Sequence, residues 1–175
     1  MHAKHLLIGL FAAGFVAATS ALLSSPVYAQ DMEAKVKASM AALKSKAEKL
    51  GAVKVDGTDP VTGKTVPALY FGSAKQNNNF DLVDEVVKEH GGTATIFVKS
   101  GDEYVRVATN VKKDDGSRAI GTVLDPKGKA IVAINEGKAF YGEVAILEKP
   151  YVTGYDPIRD GSNNVVGIYY VGYLK

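Results

Sequence analysis

Cysteine is absent from this 175-residue chain, and histidine is scarce. Without thiols the protein forms no disulfide, offers no thiolate metal ligand and has no cysteine nucleophile. Two of the three histidines, His2 and His5, lie at the very start, so His90 is the one imidazole in the rest of the chain. Zinc sites that need several histidines and serine–histidine triads are therefore disfavoured.

The chain also lacks a large excess of charge of either sign. The chain has 21 Lys and Arg residues against 19 Asp and Glu residues, for a net charge of +2, and both signs are interspersed. Nucleic-acid-binding domains carry a basic stripe or patch, which this sequence does not have. We therefore expect no nucleic-acid partner.

The first 29 residues have the pattern of an export signal. Lys4 precedes an apolar run from Leu6 to Leu23, and Val27-Tyr28-Ala29 is a small-x-small peptidase site. We expect a signal peptide at 1–29 and one domain at 30–175, periplasmic or secreted. The apolar run also approaches the length that spans a bilayer, so an uncleaved N-terminal anchor is the alternative.

A helical stripe follows the signal. Apolar residues recur at spacings of three and four, and Gly51 ends the pattern, which predicts one amphipathic helix of about five turns. The stripe either packs on the protein's own sheet or forms the seam of a homodimer. Its residues are Met32, Val36, Met40, Leu43, Ala47 and Leu50.

The remaining pattern predicts an α+β fold. A turn-containing segment or a hairpin is expected between Val53 and Pro67. A second helix is expected between Asn77-Asn78-Asn79 and Gly91, with His90 at its C-terminal end. A short helix is expected near 129–136. The β-rich runs cover 93–99, 104–111, 119–124, 140–149, 151–158 and 165–174, joined by short turns typical of an antiparallel sheet.

Two motifs suggest chemistry but have simpler explanations. The stretch from Gly57 to Thr65 resembles a phosphate-binding loop, yet five residues rather than four separate its glycines, which favours a turn. Turns near Asp115 and Asp160 lack the ligand spacing of a calcium loop. We predict neither a metal nor a cofactor.

Polar side chains interrupt two of the predicted strands. Alternation places Arg106, Ala108 and Asn110 on one face of their strand. The same rule groups a lysine, a threonine and two tyrosines on the later strand, which suits either a small-ligand pocket or a solvent-facing surface. These residues are Lys149, Tyr151, Thr153 and Tyr155.

An ordered series of segments resembles the extracellular Cache domains of bacterial chemoreceptors and histidine kinases. The likeness covers about 67–172 and is similar to the Cache 3/Cache 2 fusion group in single-domain form. The segments include Gly92-Thr93-Ala94-Thr95-Ile96-Phe97, Tyr104-Val105-Arg106-Val107-Ala108-Thr109-Asn110, Asp115-Gly116-Ser117-Arg118, Gly137-Lys138-Ala139-Phe140-Tyr141-Gly142, Tyr155-Asp156-Pro157-Ile158 and Val166-Gly167-Ile168-Tyr169-Tyr170.

This resemblance implies a PAS-like antiparallel sheet with a long N-terminal helix packed on it. It also implies a pocket for a small organic anion, often acetate, pyruvate or propionate, and sensing rather than catalysis. The positions implied to reach a carboxylate are Arg106, Arg118 and Lys149 as cations, with Tyr141, Tyr151 and Tyr155 as walls or hydroxyl donors.

We expect a mode of signalling that differs from that of such receptors. Receptors of this family continue into a second membrane helix and a signalling domain, whereas this sequence ends at Lys175. We therefore expect it to deliver its ligand state to a separate membrane receptor or sensor kinase, or to buffer its ligand.

Two alternatives of other classes are an exported hydrolase and a structural protein. The hydrolase rests on the Tyr, Lys and Asp residues between Lys149 and Asp156, for which no acid–base partner is identifiable. The structural protein dimerises through its N-terminal helix without a small ligand.

Overall fold

A computed structural model describes residues 26–175, with side chains from Gln30 onward. The helices are α1 (Pro26–Leu50), α2 (Asp81–His90) and α3 (Lys129–Asn135). The strands are β1 (Val53–Val61), β2 (Lys64–Phe71), β3 (Ala74–Lys75), β4 (Thr93–Ser100), β5 (Glu103–Thr109), β6 (Phe140–Ile146), β7 (Lys149–Arg159) and β8 (Val165–Leu174).

The expected signal peptide falls mostly outside this part of the chain. Residues 1–25 are not among the described residues, and 26–29 belong to the first turn of α1. Signal cleavage therefore stays a prediction.

Helix α1 buries the predicted apolar stripe within the chain itself. Val36, Met40, Leu43 and Ala47 are buried against α2, β7 and β8, whereas Leu50 at the end of the stripe is 44% exposed. Apolar residues at spacings of three and four share one helix face, which is why the sequence pattern located this helix. The expected packing of the stripe on the protein's own sheet is confirmed.

Strands β1 and β2 form the hairpin expected before α2. Val61 pairs with Lys64, so the loop has two residues, Thr62 and Gly63, which have φ values of 45° and 76°. Positive φ at both loop positions gives the turn twist that suits an antiparallel hairpin. The phosphate-loop-like stretch is thus a turn between paired strands, as predicted.

The second sheet has five antiparallel strands in the order β5-β4-β8-β7-β6. The chain-terminal strand β8 lies at its centre, between β4 and β7. Neighbouring residues along a strand face opposite sides of this sheet, and Tyr169 and Tyr170 accordingly belong to two separate hydrophobic clusters. One cluster lies under α1 and α2 and the other under α3, which confirms the α+β, PAS-like expectation.

The run 119–124 is not the regular strand that its composition suggests. It forms one isolated bridge, between Val105 and Val123, and its backbone turns at Gly121, where φ is 79°. A positive φ interrupts an extended chain, and β propensity alone does not reveal this. The segment therefore follows the edge of β5 as an irregular strip.

The predicted alternation along β5 is also wrong in part. Ala108 pairs with Ile96 and Arg106 pairs with Phe97, so Val107 is an extra residue in a β-bulge. A bulge shifts the faces of the residues beyond it. Ala108 consequently joins Val107 in the cluster under α1 and α2, whereas Arg106 lies against Phe97 on the other side of the sheet.

Candidate ligand-binding cleft

A cleft of about 400 Å³ opens on the α3 side of the five-stranded sheet. Arg106 of β5 and Tyr155 of β7 form its sheet wall. The other walls are the segment 122–130 and the stretch 143–147, which includes the end of β6. Small-molecule sites are concave and largely apolar with a few polar groups, and this cleft has that composition.

Arg106 is the buried cation of the cleft. The residue is 5% exposed, and its Nη1 donates to the Thr122 hydroxyl oxygen at 2.7 Å. Its guanidinium carbon lies 5.1 Å from the centre of the Phe97 ring. The strand bulge that moves Ala108 to the other face leaves Arg106 on the cleft side.

The charge of Arg106 has no acidic partner among residues 26–175. No carboxylate of the described residues lies within ion-pair distance, and the buried Nε has no hydrogen-bond partner. Burial lowers the pKa of this guanidinium, although arginine remains charged in proteins. A buried and uncompensated cation is costly, so the arrangement favours an anionic ligand.

Tyr155 supplies a neutral hydroxyl beside this cation. The residue is 2% exposed, and its hydroxyl makes no hydrogen bond to any described residue. Burial raises the pKa of Tyr155 to about 12, while Arg106 acts in the opposite direction. The phenol therefore keeps its proton at neutral pH and is able to donate it in a hydrogen bond.

The rim of the cleft carries charges of both signs, and one of its two acidic residues is paired with a cation outside the cleft. Glu143 pairs with Lys175 at 2.8 Å, and one oxygen of Asp125 accepts the backbone N–H of Lys127 at 2.9 Å. The side chains of Lys127 and Lys129 line the cleft and pair with no carboxylate in the described part of the chain. The cleft thus presents more uncompensated positive than negative charge.

Arg118 lies away from the cleft, on the α2 side of the segment that borders it. Its two terminal nitrogens each donate to one oxygen of Asp84 at 2.7 Å, and Nη1 also donates to the Thr109 carbonyl. The guanidinium carbon lies 4.4 Å from the centre of the Phe80 ring. The hydrogen bond to Asp84 raises the pKa of Arg118.

Lys149 and the two other implied tyrosines also lie outside the cleft walls. Lys149 is an exposed residue whose Nζ is 3.5 Å from Asp114. Tyr141 is 37% exposed and borders a groove with α1 on the opposite side of the sheet. Tyr151 is half-buried against the hydrophobic cluster that contains Tyr155. The structure therefore brings together Arg106 and Tyr155 of the six implied residues.

Sequence reasoning did not single out the residues that complete this cleft. Thr122, Lys127 and Lys129 come from an irregular segment and the start of α3. The one sequence signal was the turn composition of Asp125-Pro126-Lys127-Gly128, which predicts a loop but not what that loop faces.

The groups in the cleft are able to bind an anion. Its lining includes no histidine, serine or cysteine, and His90 ends α2 elsewhere in the fold. Within 26–175, no three His, Asp or Glu side chains are grouped to hold a metal. The available chemistry is charge-assisted hydrogen bonding to an anion from Arg106, with a second donor in Tyr155.

Comparison with known proteins identifies the family. No curated protein matches the chain. A family model described as the Cache 3/Cache 2 fusion domain matches residues 17–175, a range that contains both sheets and all three helices. Cache domains are sensor domains for small molecules, usually extracellular. The chain belongs to the Cache 3/Cache 2 fusion domain family.

Proposed function

We propose that this protein is an exported sensor domain that binds a short carboxylate, such as acetate, propionate or pyruvate, and catalyses no reaction. The observation that carries the proposal is Arg106, a 5% exposed cation with no acidic partner in the described chain. A carboxylate in the cleft supplies the missing negative charge.

The donors around Arg106 suit a carboxylate. A guanidinium presents N–H groups in a planar fork that matches the two oxygens of a carboxylate, and such charge-assisted bonds are worth about 1.5–3 kcal/mol each. The Tyr155 hydroxyl lacks a partner in the described chain and serves as a further donor. Apolar residues of the two other walls, Leu124 and Ile146, suit a short alkyl chain.

The size of the ligand limits its affinity. Acetate has about four heavy atoms, and the best small ligands gain about 1.5 kcal/mol per heavy atom, so about −6 kcal/mol is its ceiling. This free energy corresponds to a Kd of tens of micromolar. Ligands that also engage the rim cations Lys127 and Lys129 have room in a cleft of about 400 Å³ and are expected to bind more tightly.

The proposed location is the periplasm or cell exterior. The support is the export pattern of residues 1–29, with an uncleaved N-terminal anchor as the alternative. Among the helices of the described residues, none is long and apolar enough to cross a membrane. We propose that a membrane receptor or sensor kinase reads the ligand state, in chemotaxis or a related signalling pathway.

Thermal unfolding against a ligand panel tests this function. The panel contains acetate, propionate, pyruvate, succinate, amino acids, amines and purines. A ligand at a hundredfold excess over Kd adds about 2.7 kcal/mol of stability, which raises the Tm by roughly 5–10 °C for a domain of this length.

Two alanine variants locate the site. Arg106→Ala is expected to abolish the shift, whereas Lys149→Ala, at an exposed cation outside the cleft walls, leaves it unchanged. A shift that survives Arg106→Ala contradicts the assignment of the site. A panel without any shift contradicts the ligand-binding function itself.

A further inference from the structure

The irregular segment 119–124 forms one wall of the cleft and is fastened to β5 by its backbone. Gly121 N–H donates to the Arg106 carbonyl at 3.0 Å, and Arg106 N–H donates to the Thr122 carbonyl at 2.9 Å. Leu124 N–H donates to the Tyr104 carbonyl at 2.9 Å. The position of this segment relative to β5 therefore determines the shape of the cleft beside Arg106.

Thr122 transmits the position of the segment to the buried cation. Its hydroxyl donates to the Ala119 carbonyl at 2.8 Å and accepts from Arg106 Nη1 at 2.7 Å. This is the one hydrogen bond that the guanidinium makes within the described chain. A movement of Thr122 consequently changes the orientation of Arg106.

Arg118 fastens the start of the same segment to two other elements. Its two terminal nitrogens bind both oxygens of Asp84 on α2, and Nη1 also reaches the carbonyl of Thr109 at the end of β5. A bidentate ion pair of this kind fixes the orientation of the guanidinium as well as its distance from the carboxylate. The adjacent Ala119 N–H donates to the Val111 carbonyl at 2.9 Å, so the start of the segment is held on both sides.

We propose that the Arg118–Asp84 ion pair is a positioning device for the cleft. It holds segment 119–124 so that Thr122 keeps the Arg106 guanidinium in its ligand-binding orientation. The part of this inference that concerns the ligand rests on the proposed function. Arg118 thus acts through Thr122 rather than by touching the ligand.

The simpler role for Arg118 is an ordinary ion pair between a helix and a loop. Partly exposed pairs contribute about 0–1 kcal/mol and affect little beyond themselves. The side chains here are 26% exposed for Arg118 and 44% exposed for Asp84, so global stability alone does not separate the two roles. The two roles are separated by measuring the local motion of segment 119–124 and the affinity for the ligand.

Amide hydrogen exchange tests the positioning role without any ligand. In Asp84→Asn, the Gly121 and Leu124 amides are expected to exchange about tenfold faster, equivalent to about 1.4 kcal/mol of local opening. The matched control is Glu85→Gln, which removes the neighbouring carboxylate of α2 and its contact with Lys46. Equal exchange of the Gly121 and Leu124 amides in both variants overturns the proposal.

A double-mutant cycle tests whether the Arg118–Asp84 pair affects ligand binding through Thr122. Titrations with acetate, propionate and pyruvate are expected to show about tenfold weaker binding for Asp84→Asn, and a smaller loss for Arg118→Lys, which keeps the charge but not the fork. In a Thr122→Val background, Asp84→Asn is expected to weaken binding less than twofold further, because the hydrogen bond from Arg106 to the Thr122 hydroxyl is already lost.

The two proposals fail in different ways. Additive effects of Asp84→Asn and Thr122→Val on affinity overturn the positioning role while the binding function stands. If the unaltered protein binds none of the three acids, the binding function fails, and the exchange rates of the Gly121 and Leu124 amides still decide the positioning role.

Discussion

Replacement of Arg106 by methionine is expected to stabilise the ligand-free protein while abolishing carboxylate binding. The guanidinium is buried without a carboxylate partner in the described chain, and its Nε has no hydrogen-bond partner. Such a charge costs several kcal/mol in lost hydration. Methionine has a similar length and no charge, so Arg106→Met removes this cost and keeps the packing.

The size of the effect follows from what the substitution also removes. The hydrogen bond to Thr122 is worth about 1.5–3 kcal/mol, and the contact with the Phe97 ring about 2 kcal/mol at most. These losses offset most of the regained hydration energy. We therefore expect a net gain of about 1 kcal/mol, or a Tm rise of about 2–4 °C.

Thermal and urea unfolding with and without acetate, propionate and pyruvate measures both effects. The matched control is Arg118→Met, which removes a cation that is already paired with Asp84 and is expected to cost about 0–1 kcal/mol rather than to stabilise the fold. The reasoning is refuted if Arg106→Met is less stable than the unaltered protein by 1 kcal/mol or more, because Arg106 then stabilises the fold instead of awaiting an anion.

Three further predictions concern other parts of the molecule. Burial raises the pKa of Tyr155 to about 12 in the folded protein. As pH rises from 10 to 12 the phenol ionises in the unfolded state before it does so in the folded state, so the stabilising effect of Tyr155 is lost over this range. The unfolding free energy relative to Tyr155→Phe should fall by about 1 kcal/mol between pH 10 and 11, and a constant difference contradicts this burial. Gly72→Ala should cost at least about 3 kcal/mol, because φ is 59° at this position and an added Cβ clashes with the Leu50 carbonyl. Gly63→Ala should cost about 1 kcal/mol, because φ is 76° but an added Cβ meets open space. Equal losses of stability for the two variants in denaturant melts exclude the clash. Leu43→Ala should cost about 2–5 kcal/mol because Leu43 is fully buried on the inner face of α1, against less than about 1 kcal/mol for the exposed Leu50→Ala. Similar unfolding midpoints for the two variants contradict the packing of α1.

The predictable part of the fold is the part encoded by local periodicity. Apolar spacing located α1, and turn residues located the hairpin of β1 and β2 and the ends of α2. These signals are local because a helix face or a two-residue turn depends on neighbours in sequence. The run 119–124 was misread because strand-like composition does not reveal a turn at Gly121.

The candidate site was predicted only in part, for a related reason. Sequence indicated Arg106 and Lys149 as polar exceptions on their strands and placed Tyr155 on the same face as Lys149; of these three residues, Arg106 and Tyr155 line the cleft. It grouped Arg118 and Lys149 with them, but these cations lie beside Asp84 and Asp114. A sequence shows that a cation is present, whereas its nearest carboxylate depends on residues far away along the chain.

The sequence by itself determined the elements, the family pattern and the kinds of side chain available. The tertiary structure decided which of them meet, because β5 and β7 are separated by two strands in the sheet and by the whole of 110–148 in sequence. Arg106 lies on the α3 side of the sheet, where burial without a counter-charge makes it a candidate anion receptor, and a bulge at Val107 moves Ala108 to the opposite face. Register and burial are collective properties of the packed chain, so no single segment encodes them.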